Sequence, residues 1–136
     1  MSHDRKAELL NRIGAKLQAN QHFSAAGTLF ICAVEDMFIS MSLFWSRGNY
    51  IIYNSPDYDE FEDVMFELWE LDAPDERWLE MEYLLRGNEF EANFLYEEDI
   101  GDELMNPSRI SDSARRYLGD KEIMYPDDLG DDTFEL

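Results

Sequence analysis

Residues 27–54 read GTLFICAVEDMFISMSLFWSRGNYIIYN, and this stretch decides the fold. From Gly27 to Glu35, Leu29, Ile31 and Ala33 fall on one side of an extended chain and Phe30, Cys32 and Val34 on the other. Both sides are apolar, which is the pattern of a strand covered on both faces. From Met37 to Trp45, Ile39, Met41, Leu43 and Trp45 alternate with Phe38, Ser40, Ser42 and Phe44, a period of two. Glu35-Asp36 and Arg47-Gly48-Asn49 supply tight turns, and Tyr50 to Asn54 supplies a third strand. Three successive strands on short turns predict an antiparallel meander.

The flanks supply the helices. Residues 4–19 read as a helix capped by Ser2 or Asp4, with Leu10, Ile13 and Leu17 in one stripe and Ala7 a turn earlier. Gly14 weakens this helix without breaking it. Ser55-Pro56-Asp57 opens a second helix, over 57–72. Asp57, Asp59 and Glu60 complement its positive end. Phe61, Val64, Met65, Leu68 and Leu71 give it an apolar stripe, and its outer face is acidic. Ala73-Pro74-Asp75 ends or kinks it.

Two further strands, Arg77 to Leu85 and Glu89 to Tyr96, join at Arg86-Gly87-Asn88. Leu79, Met81, Tyr83 and Leu85 share one face, and Trp78, Glu80, Glu82 and Leu84 the other. In the partner strand Phe90, Ala92, Phe94 and Tyr96 face the core, while Glu91, Asn93, Leu95 and Glu97 face out. Pro107 precedes a short helix, Arg109 to Leu118, that ends at Gly119. An acidic tail is expected from about residue 120, with Tyr125 to Asp132 mobile. The whole chain, 1–136, is therefore expected to be one α+β domain. An antiparallel sheet of about five strands packs with an N-terminal helix, a middle acidic helix and a short C-terminal helix.

Charge is distributed as unevenly as structure. The chain of 136 residues carries a formal net charge of -20. Residues 1–34 are slightly basic at +2, and the remainder, with 29 acids against seven bases, stands at -22. Asp57 to Glu103 holds 19 acids offset only by Arg77 and Arg86. Such a field keeps a protein dispersed, attracts cationic partners and rejects nucleic acid and anionic membrane. At 45% hydrophobic and 14% aromatic residues the chain is too apolar to be a disordered acidic segment.

The start, MSHDRKAELL, lacks the apolar core of a signal peptide. Gly27 to Trp45 is interrupted by Glu35, Asp36, Ser40 and Ser42 and does not read as a membrane span. Cys32, alone and in an apolar run, reads as a buried, inert thiol. A cytoplasmic protein, monomeric or weakly dimeric, is expected.

Motifs for chemistry are few. His3 and His22 have no ligand-spaced partners, so no metal or cofactor is expected. Asp57 to Leu68 fails as a calcium loop, because Glu62 stands where glycine is needed and Leu68 where glutamate is needed. There is no phosphate loop and no nucleophile motif. With 31 acids, carboxylate pairs arise by chance and point to no acid/base reaction. A binding protein rather than an enzyme is expected. Among Trp45, Trp69 and Trp78, the last two fall off the apolar stripes. They read either as core-edge residues or as aromatic anchors at an interface.

The segment Trp78-Leu-Glu-Met-Glu-Tyr-Leu-Leu-Arg-Gly-Asn-Glu-Phe-Glu-Ala-Asn-Phe-Leu-Tyr-Glu-Glu-Asp99 resembles the hairpin of the YezG-like immunity (antitoxin) proteins of polymorphic toxin systems. Pro107-Ser-Arg109, Arg116-Tyr117-Leu118-Gly119 and Pro126 are similar to that family's C-terminal segment. The resemblance covers most of residues 4–126. It implies an α+β fold and a bacterial protein that neutralises a cognate secreted toxin, often a nuclease.

A nuclease presents a cationic cleft to its substrate, and a carboxylate face can occupy or flank it with fast association. The expected partner is thus a toxin domain with a basic surface. The expected interface combines Glu80, Glu82, Glu91 and Glu97 beside Trp78 with the outer face of the middle helix: Asp59, Glu62, Asp63 and Trp69. Leu95 is a further apolar anchor. Like charges on one hairpin face are costly, and a partner would relieve them. A type III secretion-type chaperone and a nucleic-acid-mimic inhibitor are the alternative readings.

Overall fold

The computed structural model describes residues 2–19, 24, 26–35, 38–56, 58–101 and 106–125. The meander forms as its alternation predicts, as β1 (Thr28–Glu35), β2 (Phe38–Arg47) and β3 (Tyr50–Asn54). Cys32 lies opposite Met41, and Trp45 opposite Ile52, both in antiparallel pairs. The hairpin β4 (Glu80–Arg86) and β5 (Glu89–Leu95) joins the other side of β1, with Cys32 opposite Met81. The sheet order is β5-β4-β1-β2-β3-β6.

The sheet carries one strand beyond the expected five or so. β6 (Glu122–Met124) runs parallel to β3, so the sheet is mixed. Three residues are too few for alternation to show. What holds β6 is tertiary: Ile123 is buried, the Arg115 Nε donates to the Lys121 carbonyl at 3.1 Å, and the Lys121 Nζ donates to the Ser46 Oγ at 2.7 Å. The tail from Pro126 onward, and the residues Asp36 and Asp57 of the expected turn and helix start, lie outside the described residues.

Helices cover both faces. α1 (Ser2–Ala19) and α2 (Tyr58–Glu70) lie on one side, over Phe30, Cys32 and Val34 of β1 and Met81, Tyr83 and Leu85 of β4. On the other side α4 (Pro107–Leu118) sets Ile110, Ala114 and Leu118 against Leu29, Ile31, Phe44, Ile51 and Leu84. This is why β1 is apolar on both faces. α4 starts at Pro107, capped by the Asn106 side chain, which accepts from the Ser108 and Arg109 amides at 3.0 and 3.2 Å, and it ends at Gly119. A short α3 (Glu97–Ile100) follows β5 directly. No helix among the described residues is long and apolar enough to cross a membrane.

The basic N-terminal segment is scaffold. Arg5 pairs with Glu67 of α2, and the Lys6 ammonium sits 4.4 Å from the Phe94 ring centroid of β5. Leu9, Ile13 and Leu17 are fully buried, with Leu10 half-buried beside them. The Tyr83 hydroxyl donates to the Leu10 carbonyl at 2.7 Å, which brings it close to Gly14. A Cβ on Gly14 would stand 2.7 Å from that oxygen. Gly14 therefore admits a buried tyrosine, and its low helix propensity is the cost.

Gly14→Ala gains about 1 kcal/mol of helix propensity. It also forces a rigid buried ring to move, which costs about 1–3 kcal/mol. A net loss of about 1 kcal/mol is expected in urea unfolding. A gain would show that Tyr83 yields freely.

Candidate functional site

The expected acidic hairpin face is internal. Glu80 and Glu82 are 0% and 2% exposed, because α4 lies across the β4 face on which they stand. Glu80 pairs with Arg109. Glu82 is the hub of a network. It accepts from the Arg116 Nη2 at 2.9 and 3.2 Å, the Tyr117 hydroxyl at 2.8 Å, the Ser113 hydroxyl at 2.8 Å and the Asn93 side-chain amide at 3.3 Å. Burial, and then the hydrogen bond to Glu82, push the Tyr117 hydroxyl above its ordinary pKa. Repulsion on β4 is thus relieved within the chain. The sequence carried one sign of this: Arg109 and Arg116, seven apart, flank the apolar stripe Ile110, Ala114 and Leu118 of α4.

The two tryptophans are also core. Trp78 is fully buried, and its ring packs on Phe94 with centroids 5.4 Å apart. Strict alternation puts it with Glu80, but it packs on the side of Met81. The Leu79 amide donates to the Leu95 carbonyl at 2.8 Å, one residue out of the Glu80–Leu95 register. That extra residue is a bulge, and it turns Trp78 to the opposite face. Trp69 is 8% exposed, and its indole N–H donates to the Trp78 carbonyl at 2.8 Å.

The remaining expected residues are at the surface but not together. Glu91 is exposed on the α4 side of β5. Asp59 and Asp63 are exposed, and Glu62 half-buried, on α2, across the sheet. The acidic hairpin face and the acidic helix face are therefore separated by the sheet itself.

A different group of acids does converge, where α2 ends and β5 runs into α3. An open groove of about 710 Å³ lies there. Trp69, Leu79 and Tyr96 give it an apolar and aromatic lining, and Asp75, Glu97 and Glu98 line it with carboxylates. Local sequence explains each position. Pro74 opens a single 3-10 turn, Pro74–Glu76, that carries Asp75 out of α2. Tyr96 follows β5 and caps α3, with its amide donating to the Asp99 carboxylate at 2.9 Å; Glu97 and Glu98 then fall in the first turn of α3.

Burial, and then the charges of Asp72, Asp99 and Glu98, push the Tyr96 hydroxyl above its ordinary pKa. Arg77 lines the groove too. Its guanidinium carbon lies 4.5 Å from the Trp69 ring centroid, and its Nε donates to the Asp72 carbonyl at 3.0 Å.

Arg77 already covers the Trp69 ring, and Tyr96 with the carboxylates beside it suits an incoming Lys or Arg side chain. Of the expected interface, Glu97 and the Trp69 ring belong to this groove. Asp75, Glu98 and Tyr96 were missed, because their convergence depends on long-range pairing of β4 with β5.

Cys32 is fully buried, and burial followed by the Glu80 charge raises its thiol pKa well above the ordinary value. Among the described residues no three His, Cys, Asp or Glu side chains are placed to hold a metal ion.

No family model matches this chain, and no curated protein matches it.

Proposed function

We propose that this chain is a cytoplasmic, non-enzymatic binding protein of the immunity (antitoxin) class, which neutralises a secreted toxin domain with a basic surface, a nuclease foremost. The observation that carries the reading is the groove between α2, the 3-10 turn and α3, where Asp75, Glu97 and Glu98 stand beside Trp69, Leu79 and Tyr96. The net charge of -20 adds long-range attraction, which speeds encounter, while an aromatic lining supplies desolvated contact that slows release. The motif resemblance of residues 78–99 and 107–126 supplies the class. The interface moves from the one expected on Glu80 and Glu82 to the acidic end of the molecule, with Glu97 retained.

The test is a search of the neighbouring genes for a basic toxin domain and co-expression of this chain with the domain found there. Protection from the toxin and a co-purifying complex are expected. Asp75→Lys/Glu97→Lys/Glu98→Lys is expected to weaken that complex by about a hundredfold or more, since truncating single hot spots already costs 2 kcal/mol or more. Its own unfolding transition should stay near that of the unaltered chain, because Asp75, Glu97 and Glu98 are exposed. Full protection by the triple variant would reject the groove; no protection by the unaltered chain would reject the class.

A further inference from the structure

β5 ends the sheet, and no strand among the described residues lies beyond it. None of its seven residues is buried, whereas β4 is buried at every position except Arg86. The Leu95 carbonyl accepts from Leu79 and so points toward β4. Main-chain groups of successive strand residues point to opposite sides. The amides and carbonyls of Phe90, Ala92 and Phe94 therefore point away from β4, to the free edge.

β5 itself carries neither lysine nor proline, the residues that commonly block strand addition, and the Lys6 ammonium of α1 sits on its Phe94 ring. It carries Glu89 and Glu91 on its α4 face and Phe90 on the other. Phe90 is 36% exposed and stacked on Tyr83, with ring centroids 5.0 Å apart. The strand then runs through Tyr96 into the acidic groove.

We propose that the β5 edge receives an extended cationic segment of the partner as an added antiparallel strand. Its Lys or Arg side chains lie on the face of Glu89 and Glu91, and its apolar side chains lie on the face of Phe90. The segment continues toward Glu97 and Glu98. This rests on the reading of the partner as cationic. It goes beyond it by assigning main-chain pairing, which supplies affinity in strand addition while side-chain alternation supplies selectivity.

Charge decides the occupant. A second copy of β5 would bring further Glu89 and Glu91 side chains onto the same edge and join two chains of net charge -20. A strand with lysines at alternate positions meets opposite charge instead.

The probe is a capped peptide of alternating Lys and Val, long enough to run from Glu89 past Glu98, followed by NMR titration of the full chain. Two isomers of equal charge carry N-methyl groups, one on every Val and the other on every Lys. In the antiparallel arrangement the Val main-chain groups face β5. Methylation at Val should therefore weaken binding by about tenfold or more, and methylation at Lys should leave it near the parent. The amides of Phe90, Ala92 and Phe94 should gain protection from exchange in the parent complex.

Ala92→Pro removes an outward amide and no β4–β5 hydrogen bond. It should erase the difference between the isomers and leave the melting temperature close to that of the unaltered chain. Equal affinity for both isomers would overturn strand addition and leave the groove standing. Glu97→Lys/Glu98→Lys should weaken all three peptides alike, and unchanged affinity in that variant would count against the groove alone. A dimer of the free chain that Ala92→Pro dissociates would overturn the choice of occupant.

Discussion

Glu82→Ala is expected to cost about 3–5 kcal/mol, the range seen when one member of a buried charge network is removed. Folded domains have only about 5–15 kcal/mol in total, so the variant should sit close to unfolding at growth temperature. The cost arises on the partners' side. Ser113, Tyr117 and Asn93 all donate to Glu82, and without it their polar groups lose an acceptor between β4, β5 and α4.

Glu82→Gln should fall between Glu82→Ala and the unaltered chain, because its amide nitrogen cannot accept from Arg116, whereas the Ser113 or Tyr117 hydroxyl can turn to accept from it. Arg116→Ala should cost much less, about 1 kcal/mol, because that side chain is 60% exposed and its attraction to Glu82 is screened by water. Chemical denaturation of the three variants ranks them. If Glu82→Ala unfolds like the unaltered chain, the carboxylate does not anchor α4. Binding measurements alone would mislead here, since a loss of affinity in Glu82→Ala would report a loosened α4.

Trp78→Ala should lose about 3–5 kcal/mol as well, for a different reason. Its side chain is fully buried against Phe94 and beneath Trp69, and alanine leaves a cavity at the junction of α2 with the bulge of β4. Trp78→Phe should be far milder. The indole N–H of Trp78 is buried with no acceptor among the described residues, so removing it offsets part of the lost packing. Thermal melting distinguishes this from an interface role. An interface tryptophan changes affinity at constant stability, whereas Trp78 should change stability first. A Trp78→Ala protein that melts normally would return this residue to the surface.

Much of the architecture was legible in the order of residues, because it depends on local periodicity. The alternation of β1, β2, β4 and β5, the stripe of α2 and the end of α4 at Gly119 all follow from rules that span a few positions, and α4 starts two residues before the expected Arg109. Even the double apolar face of β1 announced a covered sheet. Apart from the bulge that turns Trp78 to the other face, the errors lie where a face had to be judged exposed or covered. Alternation correctly put Glu80 and Glu82 on the face of β4 opposite Met81 and Tyr83, but a second apolar layer lay on that side. Nothing within β4 reveals that α4, some thirty residues later, supplies Arg109, Ser113 and Arg116 to meet them.

The candidate site divides in the same way. Its charge was evident from composition, and Glu97 and Trp69 were among the residues singled out. The groove itself needed the β4–β5 pairing, the 3-10 turn at Pro74 and the start of α3 to bring Asp75, Glu97 and Glu98 around Trp69, Leu79 and Tyr96. By itself the sequence determined the α+β class, the strand faces and an acidic surface beside a basic scaffold, since periodicity and charge are properties of the chain alone. Only the tertiary structure decided which carboxylates are spent on internal ion pairs and which remain in solvent, because burial depends on what packs against a face and not on which way the face points.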